Sequence, residues 1–256
     1  MSTVIGIAIA FAAIFAANIL EGGKPGAMFM LPPMLLVFGG SIGVALAGGL
    51  MKDFTGAMGS VKKALTCTPP PADEKVATLV SLAEQARRNG LLALEEQARA
   101  IDDPFLREGV ELVVDGTEPD ELREILEAKV DAKRASDKAS AKVFADLGGY
   151  APTIGIIGTV LSLVHTLENL NQPEKLGHMI GAAFLATLWG VMSANCMWLP
   201  LGNKLKRLSE IECAQMEMLI EGLMSIQAGS NPRTIQQKLQ ALVPAPRAQA
   251  DSKQAA

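Results

Sequence analysis

Residues Leu147 to Lys206 read LGGYAPTIGIIGTVLSLVHTLENLNQPEKLGHMIGAAFLATLWGVMSANCMWLPLGNKLK, and this stretch decides the fold. No side chain from Met179 to Gly202 is charged. At ~1.5 Å per residue such a run is long enough to cross the ~30 Å hydrocarbon core of a bilayer. Leu147 to Val164 is also uncharged and reaches the usual minimum for a span. Between the two, Glu168 to His178 carries Asn169, Asn171, Gln172, Pro173, Glu174 and Lys175. Such groups in lipid would be left without partners, so the segment must surface, and the stretch reads as a transmembrane hairpin.

Both helices of that hairpin carry a face of small residues. Gly155, Thr159 and Ser162 share one side of the first, and Ala183, Thr187, Gly190 and Ala194 share one side of the second. Small residues at this spacing let helix backbones approach closely, and the hydroxyls among them either bond across the interface or offer oxygen to a passing ion. Each helix also holds a proline, Pro152 and Pro200, which weakens the hydrogen-bond ladder and marks a place to bend.

Working outward, Val4 to Leu20 is a shorter apolar block with Ala10, Ala13 and Ala17 on one face. Its length suits a signal peptide, but Met1, Ser2 and Thr3 supply no basic stretch ahead of it. EGGKP at Glu21 to Pro25 is a turn by composition. Ala27 to Met51 is uncharged again, with Gly39, Gly43 and Ala47 as a small-residue ridge and Pro32 and Pro33 predicting an irregular start. These two blocks form another hairpin. Lys52, Lys62 and Lys63 follow the second span and Lys204, Lys206 and Arg207 follow the fourth, whereas the short turns hold only Lys24 and Lys175. The excess of basic residues places those flanks, both termini and the long middle region in the cytoplasm.

The chain is therefore expected to be an all-α integral membrane protein with four transmembrane helices in two hairpins. Residues 1–51 are the first hairpin (spans at about 4–20 and 27–51), and 52–146 are a helical cytoplasmic domain. Residues 147–202 are the second hairpin (about 147–167 and 179–202), and 203–256 are a cytoplasmic C-terminal helix and tail. Within the middle region, TCTPPPA at Thr66 to Ala72 reads as a stiff linker, and Asp73 to Arg88 as a helix stopped by Asn89-Gly90. A short helix over Leu91 to Ala100 and another from Asp103-Pro104 to about Val114 follow. Thr117 is the expected N-cap of a long helix that runs into the third span. Asn203 to about Ala228 is a last amphipathic helix, and the VPAPRAQADSKQAA end reads as disordered.

Composition excludes several functions. The net charge of -4 and pI near 5.3 argue against nucleic acid, and aromatic residues at 4% leave few platforms for stacking bases. Cys67, Cys196 and Cys213 show no CxxC spacing and lie far in sequence from His165 and His178, so no metal site is expected. The soluble part has no P-loop, GxSxG or HExxH, which speaks against an enzyme. No Asp, Glu, Lys or Arg lies inside a span. If this protein moves protons or sodium, the titratable carboxylate must come from another chain. Glu84, Arg87, Arg88, Glu95 and Glu96 cluster around the Asn89-Gly90 joint, either as a solvated helix surface or as a docking patch that selects a partner by charge.

Two plus two spans, the helical region between them, and the strings GGYAPTIGIIGTVLSLVHTLENL and AAFLATLWGVMSANCMWLPLGNKL resemble the MotA/PomA flagellar stator family. That family belongs to the wider group of ion-driven motors with ExbB and TolQ. The resemblance covers the chain to about residue 235. It implies that ARRNGLLALEEQ is the segment facing the rotor protein FliG, with Arg87, Arg88, Glu95 and Glu96 as rotor-facing charges. It implies that Pro152 and Pro200 couple ion flow to movement, and that Thr159 and Thr187 lie beside the ion path. It further implies no cofactor beyond the transported H+ or Na+. Five copies would form a ring in the bacterial inner membrane around a dimer of MotB, a single-span peptidoglycan-anchored subunit whose aspartate carries the ion. Thr159 resembles the sodium-type members, whereas Ala186 departs from their double threonine. An ExbB/TolQ-type energiser of outer-membrane processes is the alternative, and the N-terminal hairpin speaks against it. A self-sufficient secondary transporter would show inverted repeats and broken helices, which are not evident.

Overall fold

The computed structural model describes residues 2–67 and 69–243, and every regular element among them is helical. The chain divides into two compact units, one within Met1–Thr68 and Ala135–Ser209, the other within Pro69–Arg134 and Glu210–Ala256. Helices that run through a unit boundary contribute residues to both.

The first unit opens with α1, Ser2–Leu20, whose apolar length satisfies its backbone internally. A 3₁₀ turn at Pro25–Met28 and two extended residues lead into α2, Leu31–Ala47. The predicted irregular start is present. Pro32 and Pro33 supply no amide to the ladder, and α2 widens into a π turn over Leu35–Gly39. The expected span at 27–51 is thus a shorter helix, rising about 26 Å, because prolines open it late and Gly48-Gly49 close it early. A new helix, α3, runs from Met51 to Thr66.

The small-residue ridges of this hairpin do not face the rest of the unit. Gly39, Gly43 and Ala47 are exposed, and α2 instead buries Pro33, Val37, Ser41 and Ala45, one residue-row round the helix. Ala13 and Ala17 of α1 are likewise exposed, whereas Phe11 and Ile14 pack inward against the cluster that includes Val37, Trp189 and Ala194. Spacing defines a face without saying which face meets protein.

In the second unit, α4 spans Ala72–Asn89 and ends at Gly90, whose φ of +81° only glycine adopts cheaply. A 3₁₀ turn at Leu91–Ala93, then α5, Leu94–Ala98, replace the single predicted helix. The helix α6, Pro104–Val114, starts where expected, with the Asp103 carboxylate accepting from the amides of Phe105 and Leu106. Burial alone would raise the Asp103 carboxyl, but the Lys75 ammonium at 2.8 Å and those two amides outweigh it, and the group sits below its ordinary value.

Two long helices follow. α7 is continuous from Pro119 to Glu168, running through Gly148, Gly149 and Pro152. Its first amide bonds go to Glu118, so Thr117 lies one residue ahead of the cap. Thr117 instead accepts from Gln227 through its carbonyl. α8 is continuous from Pro173 to Gln227, so the C-terminal helix expected from Asn203 is the extension of the fourth apolar block rather than a separate element. Gly202-Asn203 is a turn-forming pair in sequence, but Gly202 keeps a negative φ within the helix, and the first left-handed glycine after Pro200 is Gly229, with φ +68°. α9, Pro232–Leu242, then folds back with Ile235 and Leu239 fully buried in the core of this unit, beside Leu79 and Leu219. The tail from residue 244 lies outside the described residues.

By length and composition, α1 and the apolar parts of α7 and α8 can cross a membrane, with α2 as the shorter apolar partner. Helix α3 and residues 135–146 belong with the apolar helices in the first unit. Ala57 and Ala64 lie against Phe144, Leu147, Leu201 and Leu205.

Candidate functional site

Helices α7 and α8 meet along the predicted small faces. A side chain at Gly155 would place its Cβ 2.7 Å from the Ala186 carbonyl oxygen, and one at Gly190 would stand 2.6 Å from that of Ala151. Both positions require glycine because backbone meets backbone there. Ala183, Ala186 and Ala194 are buried at the same seam.

This approach brings Thr159 and Thr187 together, with their hydroxyl oxygens 2.5 Å apart. The Thr159 hydroxyl also lies 3.0 Å from the Ala183 carbonyl and 3.2 Å from that of Gly155, and Thr187 reaches the Gly155 carbonyl at 3.5 Å. Four neutral oxygens therefore converge in an apolar seam. Such a cluster holds no titratable proton, yet it can solvate a passing cation or pass hydrogen bonds along. The third predicted member, Ser162, is half-buried one turn further along, and its backbone carbonyl accepts from the Thr166 hydroxyl at 2.7 Å.

The two prolines sit differently. Pro152 lies across from Gly190, its Cα 3.2 Å from where a Cβ would be, and α7 stays α-helical around it. Pro200 follows a π turn at Ala194–Trp198, in which the Leu199 amide donates to Ala194, five residues back. The wider turn accommodates a ring that cannot donate and would crowd the carbonyl four residues earlier.

Trp189 was not singled out by the sequence. Its indole Nε1 donates to the Met28 carbonyl at 2.7 Å, and its ring lies 5.5 Å from Phe29 and 5.9 Å from Phe38. Non-helical backbone in an apolar setting needs a partner from protein, and Trp189 supplies it. No local sequence signal marks this role, because the partner lies 161 residues away along the chain.

In the other unit, Arg87 and Arg88 close α4, and Glu95 and Glu96 open α5, all four exposed on either side of Gly90. Glu95 pairs with Arg99, at 3.0 Å, which the sequence reading omitted although it stands four residues on. Arg87, Arg88 and Glu96 have no ion-pair partner among the described residues. The joint thus presents unneutralised charge of both signs. Among the described residues no group of His, Cys, Asp and Glu could hold a metal ion.

Residues 97–218 match the MotA/TolQ/ExbB proton channel family, and residues 4–90 match the motility protein A N-terminal family. The chain is 34% identical over 250 residues to motility protein A of Bacillus subtilis (strain 168), covering 95% of this chain and 91% of that protein. It is 33% identical over 235 residues to the chemotaxis protein PomA of Vibrio alginolyticus, covering 92% of each. Among solved structures, C. jejuni MotAB aligns with a TM-score of 0.90 at 30% identity, over 95% of this chain and 96% of that one. The flagellar MotAB stator complex from Bacillus subtilis aligns at 0.88 and 33% identity, over 96% and 97%.

Proposed function

The chain belongs to the MotA/PomA stator subunits of the flagellar motor, within the MotA/TolQ/ExbB proton channel family, and from that premise we propose how it turns ion flow into torque. Several copies, five by resemblance to the family, surround the MotB-type partner in the bacterial inner membrane. Four spans place both termini and the charged joint in the cytoplasm. The partner's carboxylate carries H+ or Na+, since the apolar spans of this chain hold no carboxylate of their own. Neutralising that carboxylate changes what packs best beside Thr159 and Thr187, α7 and α8 shift about Pro152 and Pro200, and the ring steps. Arg87, Arg88, Glu95 and Glu96 transfer the step to FliG.

The observation that carries this reading is the neutral oxygen cluster at a glycine-packed seam in a chain that superposes nearly end to end on MotAB chains. The relatives matched over more than nine tenths of their length are motility proteins, which favours the motor over an outer-membrane energiser.

Swimming of cells carrying Arg87→Glu tests it. We expect loss of motility at unchanged membrane level, with partial recovery when Glu95→Arg is added or when the rotor charge is reversed. Normal swimming in every variant would return the joint to a solvated surface.

A further inference from the structure

Between the paired charges of the joint stands a side chain that charge patterning does not explain. Leu92 is 76% exposed, and it and Leu242 are the large apolar side chains exposed in the soluble unit among the described residues. In a 3₁₀ turn residues three apart eclipse one another. Leu91 and Leu94 accordingly both face the core, Leu94 fully buried. Leu92 is therefore turned away from it, along an open groove of about 650 Å³ that Asn89, Glu95, Glu96 and Arg99 also line. Gly90 holds the turn in place. The position is not chosen for folding, because the side chain buries little against its own unit.

Stable interfaces combine an apolar anchor with a polar, charged rim that excludes water around it. The joint combines these parts: Glu95, Glu96 and Arg99 share the groove with Leu92, and the exposed Arg87 and Arg88 precede it in the chain. We infer that Leu92 is the apolar anchor that docks this joint onto the rotor protein. The inference rests on the rotor-contact reading above. The occupant it fits is a rotor surface with an apolar pocket, an acidic residue complementing the arginines and a basic one complementing Glu96. The charges set approach and register, and Leu92 sets how long contact lasts under load.

The test uses the full-length fluorescent chain with its MotB-type partner in living cells, counting stators engaged at motors under load. Leu92→Ala should lower engagement by about tenfold at unchanged membrane level and partner association, whereas Leu92→Met should stay near wild type. Leu92→p-benzoylphenylalanine should cross-link to the rotor protein on illumination. Full engagement of Leu92→Ala beside a disengaged Arg87→Glu would overturn the anchor and leave docking to charge. A cross-link to a second copy of this chain would overturn it too, making the turn a subunit contact. If Arg87→Glu is also fully engaged, the rotor-contact reading itself fails.

Discussion

A few atoms decide the seam between α7 and α8. Gly190→Val would push two methyl groups against the Ala151 carbonyl, and backbone cannot yield as a flexible side chain can. We expect roughly 1–3 kcal/mol of lost stability, seen as a lower melting temperature of the detergent-solubilised chain, together with loss of motility. Thr187→Ala should cost less, because Thr159 keeps the carbonyls of Ala183 and Gly155 as partners. A reduced ion flux with a nearly unchanged melt would separate the oxygen cluster's role from packing. In the second unit the Lys238 hydrogen bond, opposed by burial and helped by Arg123, holds the Glu221 carboxyl below its ordinary 4.5. A carboxylate lowered in the folded state stabilises above its unfolded value and ceases to do so as pH falls through the folded one. Glu221→Gln should therefore be less stable than wild type at pH 7 by about 0.2–1 kcal/mol, a gap that closes on acidification below about pH 4. Thermal melts at both pH values check the sign.

At the scale of elements, helix continuity matters most. Pro200 survives inside α8 because a π turn precedes it. Pro200→Ala restores an amide donor, so the helix should stiffen, with a melting temperature at or slightly above wild type and torque on a tethered bead well below it. Unchanged torque would remove Pro200 from the coupling path. The short α9 is held by two side chains, Ile235 and Leu239, both within the core shared with α4 and α8. Leu239→Asp would bury an unpaired charge and should cost more than about 3 kcal/mol, read as loss of the soluble unit's cooperative melt.

For the whole molecule, the testable quantity is sidedness. Cys67 follows α3, beside the basic flank at Lys62 and Lys63, and Asn171 lies in the turn between α7 and α8. With four spans and both termini cytoplasmic, a membrane-impermeant maleimide should leave the wild-type chain in intact spheroplasts unlabelled. Asn171→Cys should be labelled under the same conditions. Labelling of Cys67 would invert or change the number of spans.

What depends on solvent and on local stereochemistry could be read from the residues alone. Uncharged runs are driven out of water and charged ones out of lipid, so the apolar helices and the charged segment between them were legible as such. Asp103 and Gly90 marked their helix ends because a carboxylate satisfies free amides and only glycine takes a left-handed φ cheaply. The Gly155–Gly190 seam was legible because both helices carried small residues in register. Which faces meet emerges only from the packed helices. The Gly39–Gly43–Ala47 ridge looked like a packing face and is exposed, while Val37 and Ser41 behind it are buried. Periodicity fixes the angle between residues on one helix, not the rotation of that helix against its neighbours. The Trp189 bond to Met28 and the outward turn of Leu92 arise for the same reason, since each depends on where a second element sits.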